Sequence, residues 1–275
     1  MWAKLGTRVA SGVIGAALLI LIILYTRAWA FNIVVSIACI VSLYELVTTL
    51  GHNKKPQLAV IEYAFAVILL IILFLTKDSG IFLMPVLVAY AMLLLISAIF
   101  WHEKIKFGDV SAAFFVLIYS VMFLYHIALI REMENGKLLV FLPFLCAWMP
   151  DTFAYFSGLL FGKHKLCPNI SPKKTVEGAI GGVIGCIIIT MLFGLVANSV
   201  YGREVSYVLL LVLAVFCSVI AQLGDLSASL IKREYGVKDF GNLIPGHGGI
   251  LDRIDSLIFV APLVYYFLLY LPVIR

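Results

Sequence analysis

The sequence predicts an all-α integral membrane protein: polytopic, with about nine transmembrane helices, its N-terminus cytoplasmic and its C-terminus outside. Three observations predict it. Of 275 residues, 63% are hydrophobic and only 13% charged, with a mean hydropathy of +1.10, whereas a soluble domain carries roughly 25% charged residues. Apolar runs of about 20 residues, the length that crosses a bilayer, recur along the chain. Lys and Arg also fall unevenly on the two sets of alternating loops, which orients the spans.

The runs lie near 8–26, 28–50, 58–76, 80–100, 110–130, 138–161, 178–200, 205–231 and 254–273. They divide the chain into an N-terminal helical region (1–137, spans one to five) and a C-terminal region (138–275, spans six to nine) with loops at 162–177 and 232–253. Of the 20 Lys and Arg, 14 lie on the side that holds Lys4, Arg8, Lys54, Lys55, Lys104, Lys106 and both of those loops. The other side holds Arg27, Lys77, Arg131, Lys137, Arg203 and Arg275. The richer side faces the cytoplasm, so a multi-pass protein of the cell membrane is expected, with the 232–253 loop inside, where nucleotides are. Lys4 and Arg8 before an apolar run ending near Ala28-Trp29-Ala30 also resemble a signal peptide. The length of Val9–Tyr25 and the spans that follow it favour an uncleaved first helix.

The five cysteines (Cys39, Cys146, Cys167, Cys186, Cys217) are scattered, odd in number and form no C-x-x-C, so neither a disulfide framework nor a zinc site is expected. Spans one to five hold few polar groups. Ser11, Gly12 and Gly15 are expected to ease helix packing. Glu45, inside the inner end of span two, either serves the site or reaches water.

Span six is different. Pro150 is expected to interrupt its helix, and Asp151 follows inside the apolar run, sharing a face with Tyr155, Gly158 and Gly162. Asp151 either pairs with a neighbouring helix or serves a site. The next loop carries Lys163, Lys165, Lys173 and Lys174, which obey the positive-inside rule and also form a basic patch suited to phosphates or anionic headgroups. Thr175 is placed to cap the following helix.

The densest chemistry is Ser229–Asp255, SLIKREYGVKDFGNLIPGHGGILDRID. Lys232, Arg233, Lys238 and Arg253 stand among Glu234, Asp239, Asp252 and Asp255, with His247 between them. Charge beside membrane spans is costly unless solvated, paired or bound. The GHGG turn, with Gly248 and Gly249, can aim backbone N–H groups at an anion, and carboxylates are hard ligands of the kind that hold magnesium. Asp225, at the inner end of span eight, and Asp252 and Asp255, sharing a face where span nine starts, make a candidate magnesium–phosphate site. Lining a wet site, they are expected to matter for chemistry and not for folding. Pairing of Asp255 with Arg253 or Arg233 is the structural alternative.

These 27 residues resemble the signature of the phosphatidate cytidylyltransferases (CDP-diacylglycerol synthases), unbroken from Ser229 to Asp255. The motif from Asp151 to Lys165, SPKKTVEG from Ser171 and QLGDLSAS before the signature extend the resemblance over about the last 125 residues. Val176 stands where relatives commonly have an aromatic. The resemblance implies transfer of CMP from CTP to phosphatidic acid with Mg²⁺, a second monovalent cation such as K⁺, and a homodimer in the lipid bilayer; no nucleic acid is implied. It further implies an acidic site of Asp225, Asp239, Asp252 and Asp255, with Asp225, Asp252 and Asp255 nearest the metal. Lys173, Lys174, Lys232, Arg233, Lys238 and Arg253 would neutralise the triphosphate and headgroup. Asp151, Ser229, His247, Gly248 and Gly249 complete the expected substrate contacts. A cation-coupled transporter is the reading from another class, but it would spread its acids through the midplane, whereas here they cluster at one boundary. A CTP-using enzyme acting on an isoprenoid lipid is the nearer rival.

Overall fold

The computed structural model describes residues 2–76, 79–243 and 248–274, with backbone only at 2–11, 79 and 80. Helices account for most of it: α1 (Trp2–Tyr25), α2 (Ala28–Thr49), α3 (Pro56–Leu75), α4 (Ser79–Phe100), α5 (Phe107–Leu117), α6 (Leu124–Glu132), α7 (Gly136–Leu139), α8 (Phe141–Phe161), α9 (Val176–Tyr201), α10 (Tyr207–Glu234) and α11 (Leu251–Tyr270). Among the described residues eight segments are long and apolar enough to cross a membrane, and α1 adds a further apolar run, Gly12–Tyr25. The boundaries agree with the expected spans to within a few residues. Span five is α5 and α6 joined through a π-helical stretch, Ile118–Phe123, and span six is α7 with α8.

Three expectations need correction. Pro150 does not interrupt its helix; α8 runs through it unbroken. A proline forfeits one backbone bond, and the surrounding helices hold the rest of the ladder in place. Within this chain Gly12 and Gly15 do not mark a packed face: among the described residues a Cβ at either would meet nothing within 4 Å, and the Ser11 side chain falls outside the described residues. The 162–177 loop is not wholly irregular: Lys165–Cys167 (β1) and Ser171–Thr175 (β2) form a short antiparallel hairpin. Strands of three and five residues about a Pro-Asn turn give too short an alternation to register in the sequence.

The packing order explains where the site forms. α8 lies along α9, α10 lies on both α9 and α11, and α11 also packs on α8 and α6. Close approach of α8 and α9 depends on small residues: a Cβ on Gly178 would fall 2.7 Å from the Ala154 carbonyl oxygen, and one on Gly182 2.8 Å from that of Pro150. In lipid, where apolar burial supplies little drive, such close backbone packing carries helix association. α2 packs on α6, the π stretch and α3, and α4 packs in turn on α3 and α5. Buried Cys39, Leu43, Leu46, Tyr119, Val121, Leu257 and Val260 form part of the core at this junction of the two regions.

Polar contacts sort by end. At one end Lys55 pairs with Asp109, Lys174 with Asp225, and Glu45 meets Ile250 and Leu251. At the other, Arg131 donates to the carbonyls of Ile23 and Thr26, and Val205 bridges Ile274. The signature loop thus shares its end with the lysine-rich turns.

Candidate active site

Where α8, the hairpin, α10 and the start of α11 meet, they enclose a cavity of about 570 Å³, within the range of small-molecule sites. α8 contributes Asp151, Tyr155 and Gly158; the hairpin, Lys173 and Lys174; α10, Gln222, Asp225 and Lys232; and the signature, Asp239, Asp252, Arg253 and Asp255. The floor is apolar in part, through Ala154, Leu159, Leu166 and Ala179.

Each wall is fixed locally. The Thr175 hydroxyl accepts from the Gly178 N–H at 3.1 Å and so caps α9, as its position anticipates. A Cβ at Gly158 would lie 2.9 Å from that same hydroxyl, so the cap and the α8 contact are one feature. Thr175→Ala should therefore lower unfolding stability by about 1 kcal/mol, measured by thermal unfolding in detergent micelles. Gln222 donates to the Ala179 carbonyl at 3.2 Å, tying α10 to α9 beside the cavity; the spacing Gln222-x-x-Asp225 on one helical face is the signal that locates it.

The charged residues form pairs. Lys174 Nζ lies 2.5 Å from Asp225 Oδ2, both groups partly exposed to the cavity. Lys232 Nζ donates to Asp252 Oδ1 at 2.8 Å, with both residues buried, and it also sits 5.0 Å from the centre of the Phe240 ring. Asp252 Oδ2 accepts from the N–H of Phe240 at 2.8 Å and of Gly249 at 3.0 Å. That carboxylate therefore holds the shape of the loop, and its expected indifference to folding does not stand. Asp255, 7% exposed, accepts from its neighbour Ser256 and pairs with neither Arg253 nor Arg233 in the ion pairs of the described residues.

Of the residues expected to serve the site, Asp151, Lys173, Lys174, Asp225, Lys232, Asp239, Asp252, Arg253 and Asp255 line one cavity. Arg233 and Lys238 are exposed, Ser229 is half-buried, and all three lie off its wall. His247 falls outside the described residues. Gly248 and Gly249 sit against the Asp252 carboxylate: a Cβ on Gly248, which has φ +84°, would lie 3.1 Å from Oδ2. The anions met by the N–H groups of Gly249, Ile250 and Leu251 are the protein's own, Asp252 and Glu45.

A divalent cation fits this donor set in one particular way. Among the described residues no three His, Cys, Asp or Glu side chains converge as a ready-made cage. Magnesium, however, is usually held by one or two carboxylates with substrate phosphates and water. Asp225, with one oxygen free of Lys174, and Asp255 are the cavity carboxylates placed to do so; Asp252 has both oxygens engaged within the protein.

A model of the Cytidylyltransferase family matches residues 6–271. The phosphatidate cytidylyltransferase of Bacillus subtilis (strain 168) is 35% identical over 268 residues, covering 95% of this chain and 96% of that protein. That of Staphylococcus haemolyticus (strain JCSC1435) is 37% identical over 233 residues, covering 82% and 86%. That of Thermotoga maritima is 42% identical over 161 residues, covering 58% and 59%. With a family model spanning almost its whole length and a relative aligned nearly end to end, the chain belongs to the cytidylyltransferase family.

Proposed function

We propose that this chain is a phosphatidate cytidylyltransferase, transferring CMP from CTP to phosphatidic acid and releasing pyrophosphate at the cytoplasmic face of the cell membrane. One observation carries the reading: the cavity joins four cationic side chains and five carboxylates to an apolar floor between membrane helices. A substrate with a polyanionic head and hydrocarbon tails matches both surfaces at once.

The attacking group is a phosphate monoester oxygen, already anionic near neutral pH, so no strong base is needed. It adds to the α-phosphorus of CTP as the bond to pyrophosphate breaks. Lys173, Lys174, Lys232 and Arg253 hold the two polyanions together and stabilise the spreading charge. A triphosphate entering the cavity draws Lys174 away from Asp225, which opens both oxygens of that carboxylate. Asp225 and Asp255, with the substrate phosphates, would hold Mg²⁺, which would supply Lewis-acid stabilisation of the developing charge. The homodimer and the second, monovalent cation implied by the resemblance belong to the same reading.

Purified protein in mixed micelles with phosphatidate and labelled CTP should yield a labelled CDP-lipid and pyrophosphate in equal amounts. No CDP-lipid from folded protein overturns the reading. Sidedness has its own test, supported by the lysine-rich turns that share the signature's end. With Cys167, the half-buried cysteine, changed to Ser, a cysteine introduced by Asn242→Cys at an exposed position should react with an impermeant thiol reagent only after cells are opened. Labelling in intact cells reverses the orientation.

A further inference from the structure

Glu45 belongs to α2, in the region where the sequence is least informative, yet its carboxylate reaches the signature. It is 1% exposed. Oε1 accepts from the N–H of Ile250 at 3.0 Å and Oε2 from that of Leu251 at 2.7 Å. These are the N-cap residue and first residue of α11, where orphan N–H groups and the helix dipole both favour an anion. Ile250 offers no capping oxygen of its own, so the cap comes from another helix.

Two signature glycines are explained by the same carboxylate. A Cβ on Gly249 would lie 2.5 Å from each Glu45 oxygen, and one on Gly241 2.5 Å from Oε1. Both glycines leave room for Glu45 to enter the loop. Asp252 grips that loop from the other side, through Phe240 and Gly249. The segment before α11 is thus held between two buried carboxylates, one from each region of the chain.

We infer that Glu45 is a positioning residue for the transfer reaction: by capping α11 and filling the space left by Gly241 and Gly249, it fixes the helix start that presents Asp252, Arg253 and Asp255 to the cavity. It does not line the cavity. The inference rests on the proposed activity for its kinetic consequence and on geometry alone for the clamp.

The test uses the full chain in micelles, comparing wild type, Glu45→Ala, Gly249→Ala and the double variant. Glu45→Ala should lower kcat about 100-fold, the scale of a small misplacement of reacting groups, while KM for CTP stays within about threefold of wild type. Backbone hydrogen exchange at Ile250 and Leu251 should speed up with no change at α3 or α9. Gly249→Ala should be severe alone, and the double variant no worse than either single change, because removing the carboxylate frees the space the methyl needs. If Glu45→Ala fails to accumulate, Glu45→Gln, which keeps the shape and only one accepting oxygen per N–H pair, carries the same readouts. Unchanged exchange at Ile250 and Leu251 overturns the clamp. Faster exchange with wild-type kcat, or additive losses in the double variant, overturns the positioning role. If wild type itself makes no CDP-lipid, the activity is wrong, and the exchange result still decides the clamp.

Discussion

Asp225→Asn and Asp255→Asn should each lower turnover per folded molecule by about 10²–10³, the cost of roughly 3–4 kcal/mol when one transition-state contact is lost. Both side chains line the cavity, and neither change alters shape. Asn is a weaker ligand for a hard cation, so the Mg²⁺ concentration for half-maximal rate should also rise. Asp225→Asn has a further consequence, because Lys174 loses its partner at 2.5 Å. That pair is partly exposed, and surface-type pairs contribute about 0–1 kcal/mol. Folded yield and detergent-solution size should therefore stay near wild type. Near-normal turnover with an unshifted Mg²⁺ requirement, measured across a titration, places the metal elsewhere.

Lys232→Met should behave in the opposite way and act first on folding. Lys232 and Asp252 form a buried pair, and removing one partner of such a pair leaves an uncompensated charge that costs about 3–5 kcal/mol. Against a total stability of about 5–15 kcal/mol, a loss of that size should lower folded yield clearly. Asp252→Asn strands Lys232 and weakens the hold on Phe240 and Gly249 as well. The double variant Lys232→Met with Asp252→Asn should recover folded yield, since no lone charge remains buried, yet stay inactive because the cavity has lost a cation. Yield and activity are read separately, by fluorescence-detected size exclusion and by CDP-lipid formation. Normal yield for Lys232→Met alone shows that water reaches the pair and that its role is purely in substrate binding.

The contrast between Asp225 and Asp252 marks how far the sequence is legible. Spans are readable because lipid demands some 20 apolar residues whatever the tertiary packing. The charged walls of the cavity are readable for the same reason in reverse, since charges at a membrane boundary stand out. Helical spacing puts Asp252 and Asp255 on one face, and both line the cavity. Spacing is silent on what else a carboxylate touches: Asp252 sits within reach of two N–H groups of the preceding loop, and loop conformation has no periodicity to read. Pro150 misleads because a local rule about helices in water is relaxed where neighbouring helices hold the backbone. Glu45 was visible as an oddity, but its partners lie more than 200 residues away, and a single sequence holds no signal for a contact that distant.

That distance also sets a timetable. Ile250 N and Leu251 N are 205 and 206 residues downstream of Glu45. At the usual ~5–20 residues per second of synthesis, α2 exists for about 10–40 s before its cap partner is made. During that interval the carboxylate has to remain at the headgroup level or carry a proton, because a bare charge is poorly tolerated deeper in the bilayer. When α11 emerges, it collects an acid left waiting by α2.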